Sequence, residues 1–376
     1  MSLRKLRKFI KLLRSNLMLV RHYRLAGKSD EQFSFIYIGW DKKLCYYWLK
    51  RFSENYIIKS KNRIIASSSI LNYLDRNKDN IDVAIIESTN KVISDKYPFS
   101  FLLPRWMEME LDIESSLKTT AINKIIRKIR KYSLEYEIRD GIEALDLFYH
   151  RMYKSQIIKR HGESAFVADY NYFLNKFNRQ ECKLFFLISE NEPVAGIFIE
   201  KTGDSYRLTA SGIKDGSSDI LKMGAIGALQ YYIILDFYEK GINTLLLGSS
   251  MPLVFDGVTE SKLHLGARPY LKDLDGRDKY YLIPLNANAA TLRALKSNPL
   301  FYLSGHNLNI ALFLSADDFK SREEFFKFLN RIKPEKVKMT RVFSFDNFEK
   351  ITKWINEEGI TNIELTKYDG KVNHPV

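Results

Sequence analysis

The feature that most constrains the fold of this chain is a run of three apolar segments separated by two short turns. The segments are residues 184–189, 194–200 and 206–211, and the turns are residues 190–192 and 201–204. Apolar runs joined by turns this short are typical of adjacent antiparallel strands. The pattern therefore predicts an antiparallel meander in the second half of the chain.

A loop, a long helix and a further strand follow the meander. Residues 212–218 contain two glycines and two serines, and the helix is expected to run from there to about Lys240. Gly241 is expected to end this helix in the left-handed conformation. Residues 244–247 are fully apolar and predict a strand, followed by a short helix near 259–265. The loop at the helix N-terminus is either an anion site or a plain helix cap.

The segments before and after this region are each expected to form a separate unit. Pro98 and Pro104 mark a boundary near residue 100, and residues 31–100 read as a small α/β unit. The tail predicts the order βαβαβ over residues 307–376, which favours a small parallel sheet with right-handed crossovers. The unit at the C-terminus is therefore expected to comprise residues 286–376.

The net charge of +14 is concentrated in two segments. Residues 1–28 contain nine Lys or Arg and residues 117–131 contain six, with no acid in either segment, so the remaining 333 residues carry a charge of −1. Leucine, isoleucine and valine recur at helical spacing from Leu3 to Val20, so residues 1–30 are expected to form a basic amphipathic helix. That helix either adsorbs to an anionic membrane or docks on its own protein. The chain is not expected to be a general nucleic-acid binder.

The cysteine and histidine content argues against a disulfide-rich protein and against a zinc-binding protein. Cys45 and Cys182 are too few for a disulfide framework and have no CxxC spacing, and the histidines are scattered. We therefore expect no metal site and a reducing compartment. The expected location is the cytoplasm, with the inner face of the membrane as the alternative that the basic N-terminus leaves open.

Residues 104–271 resemble a known family in the order of several loose motifs. The motifs are the segments PRW (104–106), YHRMYKSQIIKRHG (149–162), LFFLISENEPVAGIFIE (184–200), EKGINTLLLGSS (239–250) and DGVTESKLHLGARPY (256–270). Together they resemble the GCN5-related acyltransferase (GNAT) fold, and most closely its FemAB-like and BioF-like branch from bacterial cell-wall and polysaccharide loci. The fold class that this implies is α/β: a mixed, mostly antiparallel GNAT sheet in residues 101–285 with small α/β units beside it. Residues 31–100 would then be a degenerate GNAT half.

The resemblance implies acyl transfer from acyl-CoA to an amine of a cell-envelope or polysaccharide precursor, with the donor lying between two splayed strands. Such an acceptor is a small molecule and can be linked to a nucleotide or a lipid. The residues it nominates for catalysis are Asp256, Glu260 and Lys262. Those nominated around the donor phosphates are Ser211, Gly212, Lys214, Ser217 and Ser218. Arg160 and His161 are nominated to bind an anionic acceptor. Two alternatives stay open: transfer from an aminoacyl-tRNA, and a non-catalytic GNAT scaffold that binds a membrane or a partner.

Overall fold

The computed structural model describes residues 16–26, 32–52, 56–88, 91–162, 165–203, 205–270, 278–315, 318–332, 337–344, 348–358 and 362–367. The strands of these residues are β1 (Leu17–Ala26), β2 (Gln32–Ile38), β3 (Tyr56–Ala66), β4 (Val83–Ile86), β5 (Phe101–Pro104), β6 (Met107–Asp112), β7 (Glu135–Arg139), β8 (Cys182–Ser189), β9 (Glu192–Thr202), β10 (Ser205–Ile213), β11 (Thr244–Ser250), β12 (Arg268–Pro269), β13 (Lys279–Pro284), β14 (Leu300–Ser304), β15 (Asn307–Leu314), β16 (Met339–Ser344) and β17 (Ile363–Lys367).

The helices of the same residues are α1 (Lys42–Phe52), α2 (Ile70–Asn77), α3 (Val92–Lys96), α4 (Ile113–Leu117), α5 (Thr120–Lys131), α6 (Ile142–Asp146), α7 (Ser155–His161), α8 (Tyr170–Asn178), α9 (Ser218–Met223), α10 (Ala225–Glu239), α11 (Gly257–His264), α12 (Ala289–Lys296), α13 (Arg322–Ile332) and α14 (Phe348–Glu358). A π-helical segment, Leu147–Lys154, joins α6 to α7. Short 3₁₀ turns comprise Ser67–Ser69, Lys78–Asn80 and Lys214–Gly216.

The chain divides into two compact units, which we name by their sheets. The ten-stranded unit comprises Met1–Trp106, Pro252–Asp256 and Leu271–Val376. The seven-stranded unit comprises Met107–Met251 and Gly257–Tyr270. Both sheets are mixed, so the α/β class expected from the sequence is confirmed.

In the ten-stranded unit, the described strands lie in the order β17-β16-β15-β14-β5-β13-β4-β2-β1-β3. Strands from residues 31–100 and strands from residues 286–376 therefore share one sheet, although the sequence suggested two separate units. The predicted βαβαβ tail is present as β15-α13-β16-α14-β17, and its three strands are parallel as expected. Strand β13 lies between β4 and β5, antiparallel to both, and connects the two parts of the sheet.

The N-terminal segment differs from the expected helix wherever the structure describes it. Leu17–Ala26 form strand β1, which pairs antiparallel with β2 on one side and β3 on the other. Val20 and Leu25 are each only 1% exposed, so this segment is part of the core. Backbone pairing along two edges overrides the weak helical spacing of the apolar residues here. Residues 1–15, which carry most of the predicted basic helix, lie outside the described residues.

In the seven-stranded unit, the order is β12-β6-β11-β10-β9-β8-β7 among the described strands. The predicted meander is confirmed, because β8 pairs antiparallel with β9 and β9 with β10. The pair β10–β11 is parallel and the other neighbours are antiparallel. This is the mixed, mostly antiparallel sheet that the resemblance to the GNAT fold implies.

One predicted long helix is divided in the structure, and the basic segment 117–131 lies mostly on α5, whose N-cap is Thr119. The helix expected to run to Lys240 is broken at Gly224, which has a left-handed φ of 81° between α9 and α10. Gly241 has a φ of 71° and follows the end of α10, so the predicted glycine stop is confirmed.

Candidate functional site

Strands β10 and β11 are paired over a short distance and then separate. Their parallel ladder consists of Tyr206 with Leu245 and Arg207 with Leu246. Beyond these pairs, β10 continues against β9 as far as Ile213, and β11 continues against β6 as far as Ser250. Both strands are irregular just past the last shared pair, at bulges between Leu208 and Ala210 and between Leu246 and Ser249. Between the ends of these strands the sheet is therefore split, and backbone groups facing the split have no ladder partner there.

Gly248 lies at the point where the two strands part. Its φ is +76°, and a Cβ on this residue would lie 2.4 Å from the carbonyl oxygen of Leu208. A side chain at this position would collide with β10, and L-residues rarely adopt this backbone conformation. Glycine is therefore required for β11 to turn away from β10 at this residue.

Lys262, one of the predicted catalytic residues, is buried behind the end of β11. Its ammonium group donates to the carbonyl oxygens of Gly248 at 2.8 Å and Ser249 at 3.2 Å, and to Ser250 Oγ at 3.0 Å. A neighbouring bond from Thr259 Oγ1 to the carbonyl of Met251 measures 3.0 Å. These contacts connect α11 to the end of β11, so Lys262 stabilises the shape of the split strand.

The two predicted catalytic carboxylates, Asp256 and Glu260, belong to different units. Asp256 belongs to the ten-stranded unit, where its Oδ2 accepts from Arg51 Nη2 at 2.5 Å and from the Tyr47 hydroxyl at 3.2 Å. Glu260 lies on α11 in the seven-stranded unit and is half-buried. The Asp256 carboxylate also keeps the pKa of the Tyr47 hydroxyl above its usual range, after the larger effect of burial.

The predicted phosphate loop is closely packed on the helical segment before α7. A Cβ on Gly212 would lie 2.3 Å from the backbone carbon of Met152. The absence of a side chain at Gly212 therefore serves helix–strand packing, whereas the sequence argument assigned it to a phosphate. Ser211, just before it, is half-buried and lies on β10 beyond the last pair with β11.

The remaining predicted phosphate-binding residues of that loop are Lys214, Ser217 and Ser218. Lys214 Nζ pairs with Glu192 Oε2 at 3.1 Å. Asp215 accepts two bonds from Arg151, at 2.8 and 2.7 Å, and these hold the pKa of its carboxyl below the usual range. Ser217 is the N-cap of α9 without a side-chain capping bond, and Ser218 is exposed.

Of the two residues predicted to bind an acceptor, the structure describes the side chain of one. Arg160 is exposed in the last turn of α7, and its Nη2 lies 4.0 Å from the position that a Cβ on Gly257 would take. Arg160 is thus next to the start of α11. The side chain of His161 lies outside the described residues.

A buried cluster of charges beside the split was not predicted from the sequence. Arg207 Nε lies 3.1 Å from Glu108 Oε2, and Arg207 Nη1 lies 3.5 Å from Glu200 Oε1. The side chains of Glu108 and Glu200 are 1% and 5% exposed, and the Tyr172 hydroxyl donates to Glu200 Oε2 at 2.6 Å. Burial, together with this bond to Glu200, raises the pKa of Tyr172 above its usual range.

The position of this cluster connects it to the split. Arg207 is the last residue of β10 that pairs with β11, and Glu108 is opposite Ser249 beyond that point. A signal was present in the sequence, because Glu108 lies between two methionines and Glu200 directly follows the apolar segment 197–199. Buried carboxylates in a strand need partners, and Arg207 is the cation that contacts both of them.

Among the described residues, no helix is long and apolar enough to cross a membrane. In the same part of the chain, no group of three or more His, Cys, Asp or Glu could hold a metal ion.

Comparisons with known proteins detect similarity in structure alone. No family model matches the sequence, and no curated protein matches it. FemX is similar at 12% identity and a TM-score of 0.36, over 68% of this chain and 81% of FemX. A GCN5-related N-acetyltransferase from Kribbella flavida has 7% identity and a TM-score of 0.29, over 80% of this chain and 67% of that one. The ribosomal-protein-S18-alanine N-acetyltransferase of Escherichia coli has 17% identity and a TM-score of 0.27, over 40% and 92%. Similarity this remote carries no argument about activity.

Proposed function

We propose that the seven-stranded unit is an acyltransferase that binds an acyl donor in the split between β10 and β11. The observation that supports this most is the two-pair ladder, after which both strands continue with open edges. An extended donor can add to such an edge through backbone hydrogen bonds, and N–H groups near the bulge can polarise its carbonyl group. Acyl-CoA is the donor that the sequence resemblance implies, and the acceptor is an amine of a cell-envelope or polysaccharide precursor.

The chain's own residues supply two further elements of the reaction. The cluster of Glu108, Glu200 and Arg207 places buried carboxylates beside the split, where one of them can bind an acceptor ammonium group and receive its proton. We assign Glu108 as the first base to test, because it is opposite Ser249 at the open end of β11. Glu260 on α11 is the second. Lys262 acts as a positioning residue through its bonds to Gly248 and Ser250.

Isothermal titration of the whole protein with acetyl-CoA and longer acyl-CoAs tests the proposal. We expect binding, and we expect the substitution Ser211→Tyr to abolish it by filling the split. The matched control is Thr202→Tyr, which places the same ring at an exposed end of β9 in the same unit. An absence of heat at millimolar acyl-CoA would contradict the proposal and favour a non-catalytic scaffold.

A second candidate, transfer from an aminoacyl-tRNA, is favoured by the exposed basic face of α5. Lys124, Arg127 and Lys131 are exposed on this helix, within the seven-stranded unit. If RNA phosphates bind there, affinity for charged tRNA should fall steeply with salt, and Lys124→Gln with Arg127→Gln should reduce the salt slope by about two. A filter-binding assay measures both. No affinity at low salt would exclude this donor.

A further inference from the structure

A polar cavity of about 540 Å³ lies in the ten-stranded unit, away from the proposed donor site in the sequence and on other elements. Strands β1 and β3 and helix α2 contribute most of its lining. The side chains that matter here are His22, Arg24, Lys61, Arg63, Tyr73 and Asn77. None of the described residues that line it is acidic. The described lining therefore concentrates positive charge in this cavity.

The strand register places these cations on one face. His22 is opposite Lys61 and Val20 is opposite Arg63 in the antiparallel pair β1–β3. Arg24 follows His22 by two residues, so it points to the same face. The cations Arg24, Lys61 and Arg63 therefore share the face that lines the cavity, and an anion bound there would offset the repulsion among them.

The pKa of His22 reflects the positive charges around this cavity. Burial is the main cause that holds the pKa of its imidazole below the usual value, and the charges of Arg24 and Lys61 add to it. The ring is held in place by a 2.7 Å contact between His22 Nε2 and Ser34 Oγ.

Protection of a sheet edge does not account for this arrangement. Strand β3 is at the end of the sheet order, and charged residues on an edge strand prevent pairing with other sheets. His22 and Arg24, however, lie on β1, which is an inner strand paired on both sides. Tyr73 and Asn77 add an aromatic hydroxyl and an amide one helical turn apart on α2, and neither group protects an edge.

We propose that this cavity binds a phosphorylated small molecule. Guanidinium and ammonium groups form strong, charge-assisted hydrogen bonds to phosphoryl oxygens, and three of them here suit a diphosphate rather than a single phosphate. The hydroxyl of Tyr73 and the amide of Asn77 provide donors and acceptors for the organic part. The volume is within the range of small-molecule sites. This site is independent of the proposed acyl transfer, since all of its lining residues belong to the ten-stranded unit.

Titration of the whole protein with inorganic pyrophosphate and with ADP, at constant ionic strength, tests the proposal. We expect saturable binding, together with a rise in the pKa of His22 measured by NMR of its ring protons, because a bound anion stabilises the imidazolium. His22→Asn identifies the signal. Lys61→Gln with Arg63→Gln should weaken binding by at least about tenfold.

The matched control is Lys50→Gln with Arg76→Gln, which removes the same charge from exposed positions that do not line the cavity. It should bind pyrophosphate like the unmodified protein. Equal weakening in both double variants, or no shift of the His22 signals at millimolar pyrophosphate, would overturn the proposal. Vesicles of phosphatidylcholine with phosphatidic acid present the same phosphoryl chemistry on a lipid, and binding to these vesicles alone would also overturn it.

Discussion

The ammonium group of Lys262 donates a hydrogen bond to the carbonyl oxygen of Gly248, with a distance of 2.8 Å between the two atoms. Gly248 is the residue at which β11 leaves β10, so a buried lysine on α11 holds the backbone at the origin of the split. The resemblance to acyltransferases nominated Lys262 for catalysis. The structure shows that its three donors are directed at the chain's own backbone and Ser250.

Replacing this lysine should therefore affect stability. We expect Lys262→Met to lower the free energy of unfolding by about 2 kcal/mol, because buried bonds from a charged donor are lost. Urea denaturation followed by fluorescence measures the change. Lys222→Met, which removes an exposed lysine from the same unit, should change it by less than about 0.5 kcal/mol. Unchanged stability with lost acyl transfer would instead indicate direct contact between Lys262 and substrate.

The role assigned to Gly212 predicts opposite effects for two glycine substitutions. Gly212→Ala should destabilise the protein by about 1–3 kcal/mol, since its Cβ would lie 2.3 Å from the Met152 backbone. Gly227→Ala should stabilise it by about 0.5–1 kcal/mol, because this residue is inside α10 and its nearest contact, Ile125, is at an ordinary 3.6 Å. Thermal unfolding compares the two. Equal effects would contradict the packing explanation.

The buried cluster predicts a large cost for removing its cation. Arg207→Met would remove the cation that contacts both buried carboxylates, Glu108 and Glu200, and we expect a loss of about 3 kcal/mol in the free energy of unfolding. Arg151→Met is the control, because its pair with Asp215 is more than half exposed and should contribute at most about 1 kcal/mol. Similar losses in both variants would show that the buried cluster contributes no more to the free energy of unfolding than an exposed ion pair.

The lowered pKa of His22 predicts a pH dependence of stability. The folded protein binds fewer protons at this residue than the unfolded chain, so its contribution is present above pH 6.5 and is lost as the pH falls below that value. The free energy of unfolding of the unmodified protein, relative to His22→Asn, should therefore decrease between pH 7.5 and pH 5.5. Parallel curves for the two proteins would contradict the cause given for the shift, which combines burial with the charges of Arg24 and Lys61.

Most of the elements that could be predicted from the sequence were predicted from local patterns. The meander, the apolar strand after it, the stop at Gly241 and the βαβαβ tail depend on neighbours in the chain, and all of them are present. The strand at Leu17–Ala26 was not predictable from spacing, because its two partners are set by tertiary pairing.

The candidate site was less accessible to sequence reasoning. The buried cluster joins Glu108, Arg207 and Glu200 from strands that are up to about a hundred residues apart in the chain. Without knowledge of the strand pairing, each of these charges looks unrelated to the other two. For Gly212, the sequence allowed two explanations that it could not distinguish. A glycine required by a helix backbone against a strand has the same sequence signature as one that makes room for a phosphate.

Hydrogen–deuterium exchange with and without acetyl-CoA tests the central claim most directly. A donor that adds to the open strand edges should protect the amides of residues 209–211 and 248–250, and it should leave the β8–β9 ladder unchanged. The account predicts this localised protection in the unmodified protein and its loss in Ser211→Tyr. No protection at saturating acetyl-CoA, or protection that spares both strand ends, would contradict it.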